Sequence, residues 1–196
     1  ALHPAQIVNK ELSMVQKQEL QTTEKQAIAR YAASLIEPDD CVYLDAGTTT
    51  GWMIEYIRQE KATYITNALS HAKRLADKGF SVILIGGEPK SSTDAIVGGE
   101  AVLNLQKYHF SKGFFGVNGV DRLSGFTTPD VKEAMVKQAA VKNTQPAHRY
   151  FLTTSSKFGE VYAVTFAGFE GGTILTEDNV SEVLPKSIEI INVTQQ

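Results

Sequence analysis

The fold is decided by the stretch Cys41-Val42-Tyr43-Leu44-Asp45-Ala46-Gly47-Thr48-Thr49-Thr50. Its first four residues are a short apolar run, which is typical of a strand buried on both faces. The glycine and polar residues that follow predict a turn, and a helix is predicted to start at Trp52–Ile57. A strand, a turn and a helix in immediate succession form the first half of a βαβ unit.

The same alternation continues on both sides of this stretch. A helix is predicted before it, because Ile28, Tyr31, Ala32 and Leu35 recur at helical spacing. Thr23 to Gln26 has the form of a capping box at the start of that helix. Further strands are predicted at Thr63–Thr66, Ser81–Ile85, Phe114–Val117, Tyr150–Thr153, Gly172–Leu175 and Ile188–Val193, and further helices from Leu69 to Gly79, near Glu100–Tyr108 and from Pro129 to Lys142. The pattern predicts an α/β fold with an open, largely parallel sheet flanked by helices.

Length and composition fit one globular domain. The chain has 196 residues, of which 42% are hydrophobic and 21% charged. No apolar run approaches the roughly 20 residues of a membrane span, and no signal peptide is recognisable, so we expect no membrane partner and a cytoplasmic location. The net charge of −3 disfavours a large nucleic-acid-binding surface on this chain.

The N-terminal residues differ from the rest. Residues 1–21 show no clear hydrophobic period, and we interpret them as a linker, followed by a single domain over residues 22–196. Because the chain begins with Ala1 rather than methionine, we expect further sequence upstream.

Polar residues collect after several predicted strands, where ligands bind in open parallel sheets. These positions are Asp45–Thr50, Asn67, Gly86-Gly87 and Asn118-Gly119. In the first of them, Gly47 permits close backbone approach, and the threonine hydroxyls and the free N–H groups of a helix N-terminus suit a phosphate. An ordinary turn with a threonine N-cap explains the same residues equally well, because the spacing is neither that of a Walker loop nor that of a Rossmann fingerprint.

Two later segments carry charged residues. Thr128 and Pro129 suit an N-cap and first-turn proline, which would place Asp130 and Glu133 near the positive end of a helix dipole. Helix caps and a surface ion pair between Glu133 and Lys137 are the simpler interpretation of these residues taken alone. Lys157 follows a predicted strand and could neutralise a phosphate, although most lysines are simply solvated.

The sequence gives little support for a metal site or for a catalytic nucleophile. The four histidines, His3, His71, His109 and His148, are dispersed, and Cys41 is the single cysteine, so neither a zinc site nor an internal disulfide is predicted. No Gly-x-Ser-x-Gly motif is present, and no serine-histidine-acid set can be inferred. We therefore predict no catalytic residues, no metal and no cofactor.

Several segments, in their order and spacing, resemble the C-terminal sensor domain of the DeoR family of bacterial repressors. These segments, which span most of residues 22–178, are Glu24-Lys25, Ile28-Ala29, Leu44–Thr49, Ile65–Asn67, Leu84–Gly87, Val97-Gly98, Gly116–Gly119, Gly125–Asp130, Glu133-Ala134, Lys137 and Ser156–Gly159. Leu2–Ala5 is similar to a segment that follows the family's DNA-binding domain. The resemblance therefore implies an upstream winged helix-turn-helix, through which operator DNA would be bound.

The resemblance also implies a ligand and its site. The family's effectors are phosphorylated sugars, and the sequence most resembles those of fructose-operon repressors, so fructose 1-phosphate is the first candidate. Tagatose 6-phosphate, which related lactose-operon repressors use, is the second. A homo-oligomer is expected. The implied anion loop consists of Asp45, Gly47, Thr48, Thr49 and Thr50, and the implied sugar and phosphate contacts are Asn67, Lys90, Asn118, Gly119, Thr127, Asp130, Glu133, Lys137 and Lys157. Thr154 stands where relatives commonly have aspartate, which puts hydroxyl recognition there in question.

The rival hypothesis is a sugar-phosphate isomerase, because the sensor fold is similar to that of ribose-5-phosphate isomerase. Glu133 falls where that enzyme has its base, but Asn118-Gly119 and Ser124 stand where its acidic pair and its lysine would be. A lone glutamate without groups that stabilise an enediolate should bind rather than isomerise. The sequence thus predicts an allosteric sensor, in which the loop Phe126–Pro129 closes over a sugar phosphate that shifts DNA binding.

Overall fold

The computed structural model describes residues 6–8, 12–180 and 184–196, and strands and helices are numbered in chain order. Its centre is a seven-stranded sheet in which every neighbouring pair of strands is parallel. In spatial order the strands are β14 (Glu189–Asn192), β13 (Thr173–Thr176), β10 (Arg149–Leu152), β7 (Lys112–Gly116), β2 (Cys41–Leu44), β3 (Thr63–Thr66) and β4 (Ser81–Leu84). The predicted α/β fold with a parallel sheet is confirmed.

Three small sheets surround the central one. They consist of β1 (Gln6–Ile7) with β11 (Glu160–Val161), β5 (Glu88–Lys90) with β6 (Ala95–Val97), and β8 (Gly119–Asp121) with β9 (Gly125–Thr128) and β12 (Val164–Ala167). None of these strands was predicted from the sequence, because they are short and several contain or adjoin glycine or proline. Phe126–Thr128 therefore lie in a buried strand between β8 and β12 rather than in the predicted closing loop.

The helices flank the central sheet. They are α1 (Met14–Glu19), α2 (Thr22–Ser34), α3 (Thr48–Tyr56), α4 (Leu69–Asp77), α5 (Gly99–Leu105) and α6 (Val131–Lys142), with 3-10 turns at Pro146–His148, Ser155–Lys157 and Val193–Gln195. The anion-loop threonines Thr48–Thr50 thus belong to the first turn of α3, which begins four residues before the predicted start.

Two predicted helix N-caps are wrong. α2 begins at Thr22 after Gln21, so Thr23 is already helical and no capping box forms at it. α6 is capped by Asp130, whose carboxylate accepts the Glu133 N–H at 2.9 Å. Thr128 cannot be the cap, because its backbone belongs to β9 and pairs with Val164 of β12.

Successive residues of β2 pack into two different apolar layers. Val42 and Leu44 face a cluster with Ile28 of α2 and Met53 of α3, whereas Tyr43 faces the cluster that includes α5 and α6. Both faces of the sheet are therefore buried, and each large apolar side chain contributes about 1.5–3 kcal/mol. This packing holds the carboxyl ends of the strands in fixed positions.

The N-terminal segment is described in part. β1 pairs with β11, and α1 precedes α2, while His3 and the segment Leu2–Ala5 lie outside the described residues. The boundary between a linker and a domain at residue 22 stays a prediction. Among the helices of the described ranges, none is long and apolar enough to span a membrane.

Candidate functional site

A cavity lies at the carboxyl ends of β2, β3, β7 and β10. Its empty volume is about 1040 Å³, part of which is open to solvent. The predicted site residues that line it are Asp45, Gly47, Thr48, Thr49, Asn67, Asn118, Glu133, Lys137 and Lys157. The fold thus brings together residues that are separated by more than a hundred positions in sequence.

Asp45 is the buried centre of one wall and is only 1% exposed. Its Oδ1 accepts the Gly47 N–H at 2.8 Å and the Thr50 hydroxyl at 2.9 Å. Its Oδ2 accepts the Gly116 N–H at 2.7 Å and contacts the Lys137 ammonium. Because both oxygens are engaged by the protein, Asp45 shapes the loop, and a bound ligand would meet the loop rather than the carboxylate.

The loop after β2 presents the N-terminus of α3 to the cavity. A Cβ at Gly47 would lie 2.9 Å from Asp45 Oδ1, so only glycine fits this close approach. Thr48 and Thr49 line the cavity, and the first N–H groups of a helix have no partner within it. The Thr50 hydroxyl is fully buried and also donates to the Gly47 carbonyl at 2.8 Å, so Thr50 supports the loop from behind.

Glu133 is held in place by a lysine and a threonine. Lys90 Nζ lies 3.2 Å from Glu133 Oε1 and 3.1 Å from Asp130 Oδ2, and the Thr93 hydroxyl donates to the same Glu133 oxygen. Burial acts to raise the pKa of Asp130, but hydrogen bonds from the Glu133 N–H and Lys90 lower it below its ordinary value. Lys90 and Asp130 are outside the cavity lining and position Glu133 within it.

Asn67 and Asn118 line the cavity, but protein groups already occupy part of each amide. Asn67 Oδ1 accepts the Tyr43 hydroxyl at 2.9 Å and its Nδ2 donates to the Ile96 carbonyl at 3.0 Å. Asn118 Oδ1 accepts a hydrogen bond from the Thr128 hydroxyl at 3.1 Å. The Asn118 amide nitrogen is therefore the group to test for contact with a ligand.

Thr127 and Gly119 lie behind the lining. The Thr127 hydroxyl donates to the Gly119 carbonyl at 3.3 Å and accepts the Tyr162 N–H at 3.0 Å. These two predicted site residues do not line the cavity themselves, but they help to position Tyr162, which does.

Lys25 is a further site residue, which the sequence did not predict. Lys25 lines the cavity, is 8% exposed, and donates to the Lys17 carbonyl oxygen. Burial lowers its pKa to about 8, and the neighbouring charges of Lys157 and Lys17 act in the same direction. In the sequence, Lys25 stood out only because Glu24-Lys25 is one of the segments that resemble the DeoR family. A lysine in the first turn of a helix is otherwise expected to be solvated.

Gln21 was not predicted as a site residue, and Thr154 was named only as a departure from the relatives. The Thr154 hydroxyl donates to Gln21 Oε1 at 2.8 Å, and both residues line the cavity. The position where relatives were expected to carry aspartate is thus engaged with the residue that precedes α2. Nothing in the local pattern around either residue indicates this contact.

A buried histidine packs against α3 without contributing a charge. His71 of α4 is 1% exposed, and a Cβ on Gly51 of α3 would lie 2.8 Å from its Nε2. Burial lowers the His71 pKa to about 4, so the ring is neutral at neutral pH. Within the described ranges, histidine, cysteine, aspartate and glutamate form no group of three that could hold a metal ion.

Comparison with known families and relatives gives a consistent result. The family model described as the DeoR C terminal sensor domain matches residues 20–179. The "Uncharacterized HTH-type transcriptional regulator FruR" of Bacillus subtilis (strain 168) is 44% identical over 169 residues, which are 86% of this chain and 66% of that protein. The "Lactose phosphotransferase system repressor" of Staphylococcus aureus (strain N315) is 36% identical over 183 residues, 92% of this chain and 72% of that protein. The chain thus spans about two thirds of the length of the first of these relatives.

Solved structures show weaker likeness. Ribose 5 phosphate isomerase A from Neisseria gonorrhoeae matches with a TM-score of 0.49 and 11% identity, over 68% of this chain and 52% of that chain. eIF2B delta from Chaetomium thermophilum matches with a TM-score of 0.49 and 19% identity, over 71% of this chain and 50% of that chain. At this level neither likeness bears on function. The family match and the identities to the two regulators do show a relationship. The chain belongs to the family of DeoR C-terminal sensor domains.

Proposed function

We propose that this domain binds a phosphorylated sugar in the cavity at the strand ends, and that the ligand controls DNA binding by the longer protein of which the domain is part. The observation that carries the proposal is the charge distribution around the cavity. Four lysines, Lys17, Lys25, Lys137 and Lys157, and the N-terminus of α3 line a space that has two lining carboxylates. Such a surface suits a ligand with an anionic group.

The phosphate would lie against the first turn of α3. The N–H groups and hydroxyls of Thr48 and Thr49 would donate hydrogen bonds, because helix N-termini carry partial positive charge. Lys157 and Lys25 would supply full charges. Among the described residues no carboxylate forms an ion pair with Lys25, whereas Lys157 lies 3.6 Å from Glu160.

The sugar hydroxyls would meet polar groups on the other wall, chiefly Asn118 and Glu133. Fructose 1-phosphate is the first candidate, because the sequences of several motifs resemble those of fructose-operon repressors. Tagatose 6-phosphate is the second, and the similarity to relatives named as lactose phosphotransferase system repressors supports keeping it. Control of DNA would operate through a helix-turn-helix in the longer protein, as the name of the Bacillus relative suggests.

Binding without turnover is the proposed outcome. Both carboxylates that line the cavity are engaged by lysines: Asp45 by Lys137, and Glu133 by Lys90. A general base must accept a proton from the substrate, and an oxygen that a lysine already engages is less available for that step. The isomerase hypothesis is therefore addressed by product analysis in the same experiment.

The test is calorimetric titration with fructose 1-phosphate, tagatose 6-phosphate, ribose 5-phosphate and the unphosphorylated parent sugars. Saturable binding of one phosphorylated sugar, loss of that binding for its parent, and an unchanged ligand recovered afterwards would support the proposal. Recovery of an isomerised product would instead make the domain an enzyme. Absence of binding across the panel would overturn the proposed ligand class.

A further inference from the structure

Residues that precede α2 form one wall of the cavity. Leu12, Lys17, Leu20 and Gln21 line it together with residues that follow the central strands. α1, which contains Lys17, lies against α3, whose N-terminus presents Thr48 and Thr49 to the same space. A ligand in this cavity would therefore touch the N-terminal segment directly.

Gln21 fastens the junction between α1 and α2 to the end of β10. Its Oε1 accepts the Thr154 hydroxyl at 2.8 Å, and its Nε2 donates to Ser156 Oγ at 2.9 Å. The Gln21 backbone is left-handed, with φ 51° and ψ 46°. A glutamine occupies this region only where its surroundings hold it, and the contacts with Thr154 and Ser156 do so.

A second contact crosses the same junction. Lys25, in α2, donates to the carbonyl oxygen of Lys17, in α1. The Lys25 ammonium also faces the cavity, close enough to Lys157 that the two charges repel. An anion placed between Lys25 and Lys157 would remove this repulsion and hold Lys25 in the position from which it contacts Lys17.

The segment is held at its other end as well. Gln6 and Ile7 of β1 pair with Glu160 and Val161 of β11, and the Val8 N–H donates to the Val161 carbonyl at 3.0 Å. Tyr162, the next residue after β11, lines the cavity. The N-terminal segment is therefore attached to the rest of the protein both before and after the residues that it contributes to the cavity lining.

We propose that residues 12–21, called the strap below, sense whether the cavity is occupied, so that a bound phosphorylated ligand fixes α1. The proposal rests on the proposed function, because it requires an anionic ligand in this cavity. A ligand shifts an equilibrium only if it binds one state more tightly, and contacts with Lys17, Gln21 and Lys25 supply that difference.

Hydrogen exchange of the backbone amides of residues 12–20, measured alongside calorimetry, tests the strap. The probes are fructose 1-phosphate, tagatose 6-phosphate and inorganic phosphate. The variants are Gln21→Gly, which removes the amide without opposing the left-handed backbone, and Thr154→Val, which removes the same contact from the other side. Gln106→Ala changes an exposed glutamine at the end of α5 and serves as the matched control.

Without ligand, we expect exchange in residues 12–20 to be about tenfold faster in Gln21→Gly and Thr154→Val than in the wild type, and unchanged in Gln106→Ala. A ligand that binds the wild type should slow this exchange about tenfold, and the slowing should disappear in both strap variants.

The outcomes separate the two proposals. Calorimetric binding with unchanged exchange in residues 12–20 would overturn the strap and leave sugar-phosphate binding intact. Wild-type exchange rates in both strap variants would overturn the anchoring role of Gln21. Absence of calorimetric binding with every probe would overturn the proposed function, and the strap with it.

Discussion

Lys137 of α6 forms an ion pair with Asp45 at the end of β2, across 92 positions of sequence. The Asp45 side chain is 1% exposed and that of Lys137 is 12% exposed. Lys137 also donates to the Gly116 carbonyl, 2.9 Å away at the end of β7. One lysine therefore joins a helix to the ends of two neighbouring strands, and the shape of the loop before α3 depends on it.

Asp45→Asn should destabilise the domain by about 3 kcal/mol, because it leaves the Lys137 charge buried without its partner. Urea unfolding followed by circular dichroism measures this. Lys73→Gln is the control, since it breaks the Lys73–Asp77 pair, whose side chains are 76% and 61% exposed. An exposed pair contributes less than about 0.5 kcal/mol, so similar losses in the two variants would contradict a buried structural role for Asp45.

Lys25→Met should raise the stability of the ligand-free domain at pH 7 by about 1–3 kcal/mol. Methionine keeps the packing of the side chain and removes an ammonium whose buried protonated form is disfavoured. The same variant should bind a phosphorylated sugar about tenfold more weakly. Lys107→Met, at an exposed lysine, should change neither quantity. Lower stability of Lys25→Met would show that the charge stabilises the ligand-free fold.

The stability difference between Lys25→Met and the wild type should depend on pH. The Lys25 pKa is about 8 in the folded protein and about 10.5 when unfolded, so the unfolded state binds the proton more tightly. The penalty is fully present below pH 8 and disappears as the pH rises toward 10.5. Denaturation of both proteins from pH 7 to pH 10 measures the difference, and a gap that stays constant over this range would refute the lowered pKa.

Thr48→Val combined with Thr49→Val should reduce the preference for a phosphorylated sugar over its parent. Both hydroxyls are lost, although the backbone N–H groups of α3 remain, so we expect affinity to fall at least about tenfold. Calorimetry measures this, with Thr23→Val at an exposed threonine of α2 as the control. Equal affinities in the double variant and the wild type would place the phosphate elsewhere in the cavity.

Gly119→Ala should destabilise the domain by about 2 kcal/mol or more, because an added Cβ would clash with the Glu160 carbonyl oxygen and lie 2.7 Å from Thr127 Oγ1. Gly99→Ala is the matched control. Nothing lies within 4 Å of a Cβ at Gly99, and alanine favours its helix α5, so this variant should be neutral or slightly stabilising. Thermal unfolding compares the two, and equal melting temperatures would show that β8 can move away from Glu160.

The sequence predicted the central sheet well, because a buried parallel strand is recognisable from its own residues. Cys41–Leu44 and Thr63–Thr66 were placed as the structure has them. The short antiparallel strands were not predicted. Glu88–Lys90 and Gly119–Asp121 have three residues each, and their pairing depends on partners that lie elsewhere along the chain.

The candidate site also has some features that were predictable from the sequence and others that were not. The family resemblance, the strand ends that carry polar residues, and the glycine-threonine turn into α3 were predicted correctly from the sequence, since each of these is a local pattern. Only the folded chain shows that Asp45 faces Lys137, that Lys90 and Asp130 lie behind Glu133, and that Lys25 and Gln21 line the cavity. The reason is the strand order: β2 lies between β3 and β7, and β7 lies beside β10. Side chains from distant positions meet only after that order is established, and no local periodicity encodes it.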